Sequence, residues 1–113
     1  MVNKQKHVTA VFAALADPTR RRILERLSAE GETPVTQLAK PFRMSLPAIS
    51  RHLRVLEKAR LVQRRRDGRL HIIRAHNAGF KEAQQWIAQC AAIWETRFDA
   101  IDRLLQQRKE NTP

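Results

Sequence analysis

Hydrophobic positions recur at helical spacing in five stretches of this chain and at strand spacing in two. Val8, Val11, Phe12 and Leu15 stand at i, i+3, i+4 and i+7 and predict a short helix over residues 8–15. Asp17-Pro18 then restarts the chain, with Asp17 as N-cap and Pro18 in the first turn, where its missing N–H costs nothing. Ile23, Leu24 and Leu27 turn inward along this second helix, which is expected to end near Ser28. Residues 31–34 predict a turn. Val35, Leu38 and Ala39 define a brief third helix closed by Pro41. A fourth begins at Ser45, a capping residue, and is expected to run to Ala59. With Ile49 as reference and about 100° per residue, Leu53, Leu56 and Arg60 fall within about 40° of it. Pro47, Arg51, Arg54, Val55 and Lys58 gather on the opposite side.

After Ala59 the period changes. Residues 61–66 and 69–74 flank Asp67-Gly68, a dipeptide that favours a two-residue type I′ hairpin turn. In that register Arg66 faces Arg69, and like charges so placed repel unless an anion lies between them. Helical spacing returns at Asn77, read as a cap, and continues to about Gln107. Phe80, Ala83, Ile87, Cys90, Ala91, Trp94, Phe98, Ile101 and Leu105 form its stripe. Some 30 helical residues exceed what one small core can cover. The stripe therefore calls for a partner subunit, joined by the first helix. On this reading Val8, Val11, Phe12, Leu15, Ile87, Cys90, Ala91, Trp94, Phe98, Ile101 and Leu105 form the dimer interface.

The fold class that follows is mainly α with a small β-hairpin wing, a winged helix-turn-helix of five or so helices dimerising through the first and last. All 113 residues are assigned to a single domain. Residues 7–76 supply the helix-turn-helix and wing, and 77–107 the long C-terminal dimerisation helix.

Charge sharpens this picture. The formal net charge is +11, and it is concentrated. Residues 51–74 carry nine Lys/Arg against Glu57 and Asp67, whereas residues 29–50 and 75–113 balance. Such a footprint suits a polyanion, here double-stranded DNA, with the Ser45 helix in the major groove and the wing on phosphates or minor groove. Arg64, Arg65, Arg66 and Arg69 are the wing candidates, unranked because alternation at the tip is not clean. Arg20, Arg21 and Arg22 oppose the dipole of their own helix, so they answer to something outside it: a phosphate backbone, or carboxylates on another helix.

Other chemistries find little support. Single-stranded RNA wants aromatic platforms, but Phe12, Phe42, Phe80, Trp86, Trp94 and Phe98 all lie outside the basic segment. Gly31, Gly68 and Gly79 are isolated and make no phosphate loop. Asp17, Glu25, Glu30 and Glu32 form no acid/base pair with a histidine, so no enzyme is expected. His7, His71, His76 and Cys90 lack ligand spacing, and neither a metal site nor a cofactor is expected. Cys90 has no second thiol to resolve an oxidised state and reads as a core or interface residue. No secretory signal or membrane span is visible, and the expected compartment is the cytoplasm. A non-specific or architectural nucleic-acid binder, or a protein-interaction adaptor, is the alternative for the same basic surface.

The segments FAALADPTRRRILERL, VTQLAKPFRMSLPAISRHLRVLEKARLV and RRRDGRLHIIR resemble the ArsR/SmtB family of bacterial winged-helix repressors, over roughly residues 8–94. The resemblance implies a homodimer that binds an inverted repeat near a promoter and blocks transcription. It also implies that Ser45, Pro47, Ala48, Ser50, Arg51 and Arg54 are the DNA-reading positions. His52 matches the family's motif histidine, although its angle places it beside the core, where packing with a local hydrogen bond is expected. Metal-sensing members carry cysteines in the brace helix, where this chain has Val35-Thr36-Gln37-Leu38. Others use histidines along the last helix, where this chain has Glu95, Asp99 and Asp102. The chain is thus similar to non-metal-sensing members, which leaves its effector unspecified.

Overall fold

The structure, a computed structural model, describes residues 2–111, with side chains from residue 5 onward. Five helices and three strands follow in the order α1 (Val2–Leu15), α2 (Pro18–Glu30), β1 (Thr33–Pro34), α3 (Val35–Ala39), α4 (Leu46–Lys58), β2 (Val62–Asp67), β3 (Leu70–Ala75) and α5 (Asn77–Glu110). They fall into two compact units, Met1–Ala83 and Gln84–Pro113.

In the first unit the apolar faces read from the sequence meet. Ile23, Leu24 and Leu27 of α2, Leu38 of α3 and Ile49, Leu53 and Leu56 of α4 are all buried, with Leu61, Val62 and Ile73 of the wing base. Val11, expected at a partner-facing surface, is instead fully buried in this core. Asp17 caps α2 as expected, accepting the Arg20 N–H at 3.0 Å. That helix ends at Gly31, whose N–H bonds the Leu27 carbonyl at 2.8 Å.

Two local readings need correction. Residues 31–34 are not only a turn: Thr33 and Pro34 pair antiparallel with Ile73 and Ile72, giving a three-stranded sheet of order β1-β3-β2. Proline is tolerated there because β1 is an edge strand. The wing turn also lies one residue later than expected. Asp67 pairs with Leu70 and Arg66 with His71, so Gly68 and Arg69 are the central turn residues. Gly68 has φ +61° and Arg69 has no positive φ, the pattern of a II′ turn rather than I′. Arg66 therefore does not face Arg69, and the repulsion expected between them disappears.

The second unit is the continuation of α5. Among its described residues none is buried, and only Cys90 is partly covered. Ile87, Trp94, Phe98, Ile101 and Leu105 are each half exposed or more. So are Ile93 and Leu104, which the stripe had omitted, and Trp86 is 48% exposed. The Trp94 and Phe98 rings stack with centroids 5.8 Å apart.

Candidate nucleic-acid interface

The Ser45 hydroxyl accepts the Ala48 N–H at 3.3 Å and so starts α4, with a proline in its first turn. Its buried face is Ile49, Leu53 and Leu56, all fully inaccessible. Ser45, Pro47, Arg51 and Arg54 are exposed, and Ala48 and Ser50 are partly covered. The six residues expected to read DNA thus lie off the buried face of one helix. Neither Arg51 nor Arg54 makes an ion pair with any described residue.

His52 faces the junction of α1 and α2. Its Nδ1 lies 3.4 Å from the Arg20 guanidinium and 3.9 Å from the Asp17 carboxylate, with the side chain 18% exposed. Packing with local polar contacts is what the structure shows for it. The Arg20 N–H bond holds the Asp17 carboxyl below its usual range, helped by the charges of Arg20 and His52.

Within the chain the arginine run on α2 finds carbonyl and aromatic partners rather than carboxylates on another helix. Arg20 donates to the carbonyls of Ala14 at 2.7 Å and Ala13 at 3.0 Å, and Arg21 to that of Leu15 at 2.7 Å. These are carbonyls of the last turn of α1, a negative dipole end for which arginine is well suited. Arg22 lies 5.0 Å from the centroid of the Phe42 ring, a cation–π contact.

The structure sorts the wing arginines. Arg64 donates from Nε to Glu57 of α4 at 2.6 Å, and its Nη1 lies 3.5 Å from His71 Nδ1. Arg65 donates to Glu32 at 3.1 Å, a bond that holds the Glu32 carboxyl below its usual range. Arg74 makes two bonds to Gln63 on the facing strand, at 2.6 and 2.9 Å. Arg66 and Arg69, at the tip, are exposed and form no ion pair with any described residue. A cleft of about 280 Å³ separates wing from helix, lined by Pro34, Val35, Thr36, Leu46, Ser50, Arg64, Arg69, Leu70 and His71.

Sequence reasoning missed a second polar cluster. Arg60, read on the apolar side of α4, has φ +61° and donates to Glu82 at 2.7 Å, with His7 Nδ1 at 3.2 Å. One Glu82 oxygen is buried and has no hydrogen-bond partner among the described residues. Among the described residues no three His, Cys, Asp or Glu side chains converge as a metal site would need.

A helix-brace pair with an outward cationic face, followed by a hairpin with a cationic tip, defines a winged helix-turn-helix. Residues 15–65 match a family model described as a helix-turn-helix domain. The transcriptional repressor SdpR of Bacillus subtilis is 32% identical over 77 residues, spanning 68% of this chain and 84% of that protein. An ArsR-like transcriptional regulator from Rhodococcus sp. RHA1 superposes with a TM-score of 0.78 at 30% identity, covering 90% of this chain and 95% of that one. The homodimeric winged helix-turn-helix DNA-binding domain Mb0332 of Mycobacterium bovis gives 0.60 at 28% identity, over 80% and 81%. The chain belongs to the ArsR family of winged helix-turn-helix transcriptional regulators.

Proposed function

We propose that the chain is a homodimeric, sequence-specific repressor of transcription. Residues 45–59 enter the major groove of double-stranded DNA, and the wing, residues 61–74, rests on the backbone or minor groove. The observation that carries this reading is the set of unpaired guanidinia. Arg51 and Arg54 lie on the outward side of α4, and Arg66 and Arg69 at the wing tip. Four cations without a carboxylate partner among the described residues are arranged for an external polyanion. Ser45, Pro47, Ala48 and Ser50 complete the reading surface.

Residues 77–107 serve as the dimerisation helix, supported by the exposed apolar residues from Ile87 to Leu105. The relative from Mycobacterium bovis, described as homodimeric, supports the same assembly. Binding rather than catalysis is the activity, and the cytoplasm is where it meets DNA. No helix of the described residues is long and apolar enough to cross a membrane.

The test is selection of sites from a random duplex library at about 150 mM salt, with excess non-specific DNA. The expected product is an inverted repeat whose half-sites lie about 34–36 Å apart, one helical turn. Recovery of unpatterned DNA would instead make the basic surface an architectural anchor or an adaptor face.

A further inference from the structure

We propose that the Glu57–Arg64 ion pair is a strut that fixes the angle between α4 and the wing, so that both residues position the DNA-binding surface without touching DNA. This rests on the function proposed above and adds a role for one pair within it. Leu46, Ser50 and Glu57 fall within about 40° of one another on a helical wheel. They mark a wing-facing flank of α4 that lies between its core face and the side bearing Arg51 and Arg54. Leu46 and Ser50 line the cleft together with Arg64, and Glu57, further along the same flank, reaches Arg64 at 2.6 Å.

Arg64 occupies the place where three elements meet. Its guanidinium bonds Glu57 of α4, extends from β2 and lies 3.5 Å from His71 of β3. It also lines both the cleft on the tip side and a second hollow of about 430 Å³ shared with Glu57, Val62, Gln63, Arg65 and Arg74. Both members of the pair are well covered, at 24% and 32% side-chain exposure. The guanidinium Nε is thus already committed to a carboxylate by a charge-assisted bond. Arg66 and Arg69, a few residues away, have no such partner among the described residues. The wing arginines thus play two roles, with the tip residues anchoring and Arg64 bracing.

The strut has an unusual sign. A carboxylate beside a DNA-binding surface repels phosphates, so losing it should ordinarily tighten binding. If Glu57 braces the wing, losing it loosens binding. Anisotropy titrations with the selected duplex across a salt series test this on Glu57→Gln, Arg64→Ala, both together, and the exchange Glu57→Arg with Arg64→Glu. Arg66→Ala serves as the anchor control. Glu57→Gln and Arg64→Ala should each weaken binding by about fivefold, the order of worth of a well-placed, partly covered ion pair. The double variant should be no worse than either single one. The exchanged pair should recover most of the affinity, which an Arg64 holding phosphate could not do with glutamate in its place. The salt slope should keep its wild-type value in Arg64→Ala and fall by about one unit in Arg66→Ala. Tighter binding by Glu57→Gln, or a slope lowered by about one unit in Arg64→Ala, overturns the strut and makes Arg64 an anchor. A wild-type chain with no duplex preference overturns the DNA-reading function itself, visible before any variant is made.

Discussion

Gly79 sits against Arg60 so closely that its N–H donates to the Arg60 carbonyl at 2.8 Å. A Cβ at this position would collide with the carbonyl oxygen of Ala59 and lie 2.9 Å from that of Arg60. Both atoms are backbone at the end of α4, where Arg60 already holds a left-handed φ of +61°. The first turn of α5 thus docks on the last turn of the recognition helix by close approach. Gly79→Ala must push the two helices apart and should destabilise the fold by about 1–3 kcal/mol, the usual cost of overpacking. Urea unfolding at one fixed protein concentration checks it, since assembly shifts apparent stability by mass action. An unchanged midpoint would show that the helix ends separate freely.

Asp17 links the start of α2 to His52 of α4. Removing the cap in Asp17→Ala should cost about 1 kcal/mol at neutral pH. The folded carboxyl titrates below its ordinary 3.8, first because of the Arg20 N–H bond. Its contribution is therefore complete above about pH 3.8 and is lost as pH falls through the lower folded value. Acid unfolding curves of wild type and Asp17→Ala should begin to approach each other below pH 3.8 and converge once pH has fallen through that lower folded value. A gap that persists in acid would mean that packing, not the charged cap, is what the substitution removes.

What was legible in the sequence follows the reach of each signal. Ile49, Leu53 and Leu56 were readable because a core face repeats every turn, and Ser45 and Asp17 because a cap is defined by its immediate neighbours. Thr33-Pro34 was not, since two residues cannot alternate and proline argues against a strand until the edge position is known. Arg20 and Arg21 were recognised as misplaced for their own helix. Their partners, the Ala13, Ala14 and Leu15 carbonyls, follow only from the angle at which the Asp17-Pro18 turn brings α2 onto α1. Wing register slipped by one residue because Asp-Gly and Gly-Arg both make acceptable two-residue turns. Pairing of Arg64 and Arg65 was hidden for a related reason: charge counts locate cations without showing which already have carboxylates.

Arg51 and the wing tip should separate reading from anchoring. If Arg51 meets a guanine edge, Arg51→Ala costs about 1–3 kcal/mol and relaxes preference at one base pair per half-site. Arg66→Ala with Arg69→Ala should weaken cognate and random duplexes alike and reduce the salt slope by about two units, roughly one per lost phosphate contact. Competition titrations on both duplexes distinguish these outcomes. Equal effects of the two changes on cognate and random DNA would mean that reading and anchoring are misassigned.

Trp94 and Ile101 test the assembly. They are 57% and 50% exposed in the single chain, on the same side of α5 as Ile87 and Leu105. Burial of a large apolar side chain contributes about 1.5–3 kcal/mol, and two-fold symmetry counts each substitution twice. Trp94→Ala should therefore raise the dimer dissociation constant roughly 10²–10⁴-fold, which sedimentation equilibrium can read. The core of the first unit uses neither residue, so slow amide exchange at Leu53 and Leu56 of α4 should persist in the variant. DNA binding should fall with dimer content, because a lone recognition helix meets only one half-site and loses the effective concentration that the second provides. At protein concentrations high enough to restore the dimer, affinity for the inverted repeat should return. A variant that stays dimeric with Trp94 removed would move the interface off this face of α5 and onto α1, where Phe12 is the most exposed large apolar side chain among the described residues.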